Sequence, residues 1–158
     1  MNAATISDIK KELNELQTKQ LLDVCLRLAK YKKENKEFLA YLLFDAHNKS
    51  EFAIQIKNEM QVQFNEIDAR NNLYFIKKSL RKILRLVNRY CKYIDDKALS
   101  AELHIYFCDQ LIESGIPFKR SQVLINLYSQ EIKKINSLVA ALHPDLQADF
   151  NQDLERIS

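Results

Sequence analysis

The sequence predicts an all-α protein of about seven helices, arranged as a compact antiparallel bundle or a short stack of helix pairs. Two observations carry that prediction. Apolar residues recur at spacings of three and four along nearly the whole chain, which places them on one side of successive helices. Only one Gly and two Pro occur in 158 residues. Phosphate-cradling loops and most tight hairpins need glycine where φ is positive or a backbone must approach closely, so this chain can hardly build either.

Ile6, Ile9, Leu13 and Leu16 mark a short first helix, with Thr5 or Ser7 placed to accept its free amide protons. Thr18 suits the cap of a second helix, whose Leu21, Leu22, Cys25, Leu28 and Ala29 share a face. The pattern resumes at Phe38, Leu39, Leu42 and Leu43, with a break expected near Glu34 and Asn35, although no Gly or Pro rules out one continuous helix. "AHNKSEF" reads as a polar turn with Ser50 as cap, leading into a stripe of Ala53, Ile56, Met60 and Phe64. "MQVQF" within that helix also alternates like a strand, but a lone strand has nothing to pair with.

Asp68 is the expected cap of the next helix, which carries Leu73, Ile76, Leu80, Ile83, Leu84, Val87, Cys91 and Ile94 on one stripe. Asp95 or Asp96 caps the following helix, which Gly115 and Pro117 end. Ser121 starts a long helix with Leu124, Tyr128, Ile132, Ile135, Val139 and Leu142. Pro144, at the first turn of a final helix, holds His143 out of the α region, and Leu146, Phe150, Leu154 and Ile157 line that helix. The connections are short, without linker, low-complexity run or internal repeat, so a single domain spanning 1–158 is expected, its helices packing antiparallel.

Composition limits the function classes. With 47% hydrophobic and 28% charged residues and no run of 18 apolar residues, the chain reads as globular, neither disordered nor membrane-spanning. "MNAATISDIKKEL" lacks an apolar signal core, so the cytoplasm is the expected compartment. Cys25, Cys91 and Cys108 are odd in number, with neither a CxxC pair nor zinc-type spacing, so no disulfide framework is indicated.

Charge is distributed unevenly. From Arg70 to Lys92 there are eight Lys or Arg and no acidic residue, while the other 16 basic residues face 21 acidic ones. On a helical wheel Lys78, Arg81, Lys82, Arg85, Arg89 and Lys92 fill one sector opposite the apolar stripe, with Tyr74 among them. These six residues are the candidate face for an anion or a partner. Asp145, Asp149 and Asp153 form an acidic stripe of matching pitch on the final helix and could answer the face from within. Otherwise it remains for an acidic protein partner or for nucleic-acid phosphates. The chain has no Trp, no RNP motif and no recognisable helix-turn-helix glycine turn, so base readout is poorly equipped. A membrane surface would need the apolar stripe, which a core already claims.

No catalytic, cofactor or metal residue is assigned. No Glu precedes a His by three residues, and HExxH and GxSxG are absent. His104 and Cys108 share a helical face and could offer two ligands to zinc. They lie on an apolar arc with Leu103, Phe107, Leu111 and Ile112, so a core cysteine and a hydrogen-bonded core histidine are expected instead. Cys25 and Cys91 likewise read as small buried hydrophobes. Paired carboxylates such as Glu34 with Glu37, or Asp95 with Asp96, lie in charge-rich segments that read as solvated.

The stretches "IKKELNELQTKQLLDVCLRL" and "KENKEFLAYLL", then "AELHIYFCDQLIESGIPF", "NLYSQEIKKI" and "LQADFNQDLERI", resemble an uncharacterised all-helical bacterial family catalogued as a domain of unknown function. "PFKRSQ" departs from it, being basic where that family runs acidic. The resemblance implies no activity, cofactor or residue role. The expected function is therefore a non-enzymatic interaction or scaffold module, with sequence-independent nucleic-acid binding through the helix around residues 70–94 as the alternative and the oligomeric state left open.

Overall fold

Every regular element among the described residues, 3–158 of this computed structural model, is a helix, in agreement with the all-α class that the apolar spacing predicts. The chain groups into two compact units, Met1–Asp45 and Ala46–Ser158.

The first unit holds α1 (Ile6–Asn14), α2 (Thr18–Tyr31), α3 (Lys33–Ala40) and a π-helical turn, Tyr41–Asp45. Thr5 caps α1 by accepting from the Asp8 amide, while the Asp8 carboxylate accepts from the Thr5 amide, a reciprocal capping box. The residue preceding α2 is Gln17, whose amide donates to Gln20 Oε1, so Thr18 is the first helical residue and not the cap. α2 and α3 are separate helices. The break falls at Lys32, extended at φ −141° and ψ 148°, two residues before the expected position. Asn35 Nδ2 donates to the Leu28 carbonyl at 2.8 Å, satisfying an acceptor that the interrupted last turn of α2 leaves without an amide.

The second unit holds a 3-10 turn, Ala46–Asn48, followed by α4 (Lys49–Asn65), α5 (Leu73–Ile94) and α6 (Lys97–Glu113). A 3-10 turn, Phe118–Arg120, leads into α7 (Gln122–Ala140), α8 (Pro144–Asp149) and α9 (Asn151–Ile157). Two expected caps are displaced. Asn48 caps α4 in place of Ser50, and Asn72 caps α5 in place of Asp68. Asp68 instead accepts from the Arg70 amide inside the preceding turn, which holds its carboxyl below the usual range and leaves Arg70 outside the helix. Asp96, Ser121 and Pro144 occupy the positions expected for them.

α6 is the hub, packing against α4, α5, α7 and α9. Ala101, Leu103, Ile105, Phe107, Cys108 and Leu111 are all buried, a set that covers most of its circumference. Around it lie Ala53, Ile56, Met60 and Phe64 of α4, and Ile76, Leu80, Ile83 and Val87 of α5. The expected single last helix is interrupted at Phe150. Phe150, the residue joining α8 and α9, is buried, and Leu146 is left 45% exposed.

Candidate functional site

The outer face of α5 was the sequence's candidate. Lys78, Arg81, Lys82, Arg85 and Lys92 are exposed, and none has an ion pair among the described residues. Arg89 differs: it is half-buried, its guanidinium 5.2 Å from the centroid of the Tyr90 ring. The helix places the five cations outward because its opposite side, with Ile76, Leu80, Ile83 and Val87, is in the core. At the N-terminal end Tyr74 and Phe75 are both exposed, edge to face at 5.5 Å, and Lys77 Nζ lies 5.6 Å from the Tyr74 centroid.

The acidic stripe is engaged elsewhere. Nδ1 of His143 accepts from the Asp145 amide at 3.3 Å, and Asp153 pairs with Arg156 at 2.8 Å. Asp149 and Asp153 line a cleft of about 360 Å³ with Lys57 of α4 and Glu102 and Asp109 of α6. There Arg156 makes a two-pronged contact to Asp109 at 2.8 and 2.7 Å, and Lys57 reaches Glu102 at 3.6 Å. Arg156 thus fastens α9 to Asp109 of α6 while Asp153 pairs with it inside α9, and none of the stripe's carboxylates pairs with Arg85 or Arg89.

A second site was not assigned by sequence. The buried polar or charged side chains among the described residues are Ser100, His104 and Glu131, and they come together where α6 meets α7. His104 Nδ1 lies 2.5 Å from Glu131 Oε2, and a carboxylate can only accept, so the imidazole donates. Lys134 stands 4.0 Å from the other carboxylate oxygen and donates to Asn88 Oδ1 on α5 at 2.8 Å. His104 and Ser100, one turn apart on α6, form the floor of a cleft of about 650 Å³ that α5 and α7 wall with Asn88, Cys91 and Lys134.

The hydrogen-bonded core histidine expected at position 104 is present, but its partner Glu131 was overlooked. A signal for it existed. Leu124, Leu127, Glu131, Ile135 and Val139 follow spacings of three and four, so the glutamate falls within the inward row of α7.

The cysteines divide. Cys108 is buried, and loss of hydration pushes its thiol up to about 12. Cys91 is half-buried, and burial again raises its thiol. Cys25, expected to be buried among leucines, is exposed, because α2 of the first unit contributes no fully buried residue. It lines an apolar groove of about 300 Å³ with Leu28, Phe38 and Leu42.

Among the described residues no group of three or more His, Cys, Asp or Glu is placed to hold a metal ion, and no helix is long and apolar enough to cross a membrane. Comparison with family models, with curated proteins and with solved structures returns no match.

Proposed function

We propose that this chain is a non-enzymatic interaction module, a member of the helical bacterial family it resembles, acting in the cytoplasm by presenting the outer face of α5 to an acidic protein surface. The observation that carries the reading is the set of five exposed cations on one helix face, Lys78, Arg81, Lys82, Arg85 and Lys92, with no ion pair among the described residues. Such a face steers an acidic partner toward it and rejects basic ones, while each peripheral pair adds only about 0–1 kcal/mol. The test is affinity capture of partners by the wild-type protein and by an Arg81→Glu/Arg85→Glu variant. An acidic protein recovered reproducibly by the first and lost by the second supports the reading. Equal recovery by both overturns it.

Nucleic acid is the second reading, favoured by the exposed Tyr74–Phe75 pair beside Lys77, a surface on which an unpaired base could stack. Five phosphate contacts to a single strand would make binding fall with salt at a log-log slope of roughly −3 to −4. A mixed oligonucleotide pool assayed at about 50 and 200 mM salt separates the two readings. Binding that weakens steeply with salt, and disappears with Arg81→Glu/Arg85→Glu, favours nucleic acid. Absence of binding at the lower salt removes it.

A further inference from the structure

We infer that the cleft between α5, α6 and α7 binds a small molecule through a phosphate or carboxylate group seated against His104, Ser100, Lys97 and Lys134, a site that shares only Lys92 with the outer face of α5. The starting point is a buried polar group with an unused atom. His104 is 1% exposed and Glu131 5%. Nδ1 is committed to the Glu131 carboxylate, while Nε2 has no hydrogen-bond partner among the described residues, although the side chain lines the cleft. That nitrogen is left to the cleft, and a pair that only joined α6 to α7 would hold no better than apolar side chains of similar volume. Its position on the floor of an open cleft gives that nitrogen something to meet.

The surroundings specify an oxyanion. The carboxylate behind the ring fixes Nδ1 as the protonated nitrogen, which leaves Nε2 as the ring atom available to a ligand. The Ser100 hydroxyl lies one turn away on the same wall, and Lys134 and Lys97 stand at the sides. The cleft also opens over the first turn of α6. There Asp96 takes the Leu99 amide, and the amides of Lys97 and Ala98 have no partner among the described residues. A helix start of this kind carries partial positive charge.

The acidic groups at the cleft are accounted for. Asp96 is occupied as the α6 cap, Glu131 is shared between His104 and Lys134, and Asp95 lies exposed at the rim. At about 650 Å³ the space suits a metabolite-sized ligand more than a bare ion.

The test is titration of the full chain with inorganic phosphate and, separately, acetate, at constant ionic strength, followed by amide and imidazole NMR shifts. Saturable shifts at Ser100, His104 and Lys134 are expected. They should weaken by at least about tenfold in Lys97→Ala/Lys134→Met, a variant in which the buried pair is intact. Response to phosphate alone identifies a phosphate-bearing ligand, response to acetate alone a carboxylate, and response to both the shared chemistry. No saturable shift up to about 10 mM of either anion overturns the inference. So does binding that survives unchanged in Lys97→Ala/Lys134→Met, or that is abolished instead by Arg81→Glu/Arg85→Glu. That last variant tests the α5 face alone, so failure of one reading is distinguishable from failure of the other.

Discussion

Nδ1 of His104 on α6 and Oε2 of Glu131 on α7 lie 2.5 Å apart, both side chains almost wholly out of solvent. Removing one member strands the other. Glu131→Leu is expected to lower stability by about 3 kcal/mol, read as a fall in the urea midpoint at unchanged slope. The double variant His104→Leu/Glu131→Leu should recover most of that loss, because two apolar side chains need no partner. Recovery of stability together with loss of anion binding would mark the pair as kept for a ligand at some cost to the fold.

Arg156 holds α9 to α6 through Asp109 while also contacting Asp153, and these hydrogen bonds, Asp109's first, raise its guanidinium further. The arginine is half exposed, so water screens the interaction. A double-mutant cycle of Arg156→Ala and Asp109→Ala should give a coupling of about 1 kcal/mol, above an average surface pair because both guanidinium nitrogens are engaged. Coupling near zero would assign the attachment of α9 to the buried Phe150 and Ile157 and to the Tyr128 hydroxyl, which donates to the Ile157 carbonyl.

Helix existence was legible throughout because burial on one side of a helix writes a period of three and four into the sequence. The α5 stripe from Ile76 to Ile94 shows this directly. The cap was legible where one candidate stood alone, as at Ser121, was narrowed to a pair at Thr5 or Ser7 and at Asp95 or Asp96, and was missed where other polar residues competed. Asn48 over Ser50 and Asn72 over Asp68 were decided by where the first turn could begin. Five of the six cations that the wheel turns outward are exposed, Arg89 being half-buried. The lack of ion pairs at those five among the described residues does not follow from the wheel, since the neighbour of α9 is a matter of packing between helices far apart in sequence. Glu131 was hidden because a charged residue is read as exposed until a specific partner is known.

Two left-handed residues predict opposite effects. Gly115 ends α6 at φ +73° with nothing within 4 Å of the point a Cβ would occupy, so Gly115→Ala should cost roughly 1 kcal/mol from backbone strain alone. Asp95 sits at φ 48° at the end of α5, a negative charge where the helix dipole disfavours one. Asp95→Gly should raise stability by roughly 0.5 kcal/mol by relieving both terms. Thermal unfolding of the two variants beside the wild type reads the signs directly.

Cys108 and Tyr128 give the fold an alkaline limit. Burial pushes both up to about 12 in the folded protein, from ordinary values of 9.0 and 10.0. Above pH 9 the unfolded chain sheds the thiol proton while the folded chain retains it, so the unfolded state binds fewer protons and stability falls as pH rises. This contribution is intact below pH 9 and is lost progressively up to about 12, at a slope no steeper than about 1.4 kcal/mol per pH unit for the thiol. Cys108→Val keeps the buried volume without the ionisable proton. Urea midpoints measured from pH 8 to 11 should therefore decline less steeply in this variant than in the wild type, the residual decline coming from Tyr128 and the other groups that titrate there. Parallel declines would show that Cys108 does not set the limit.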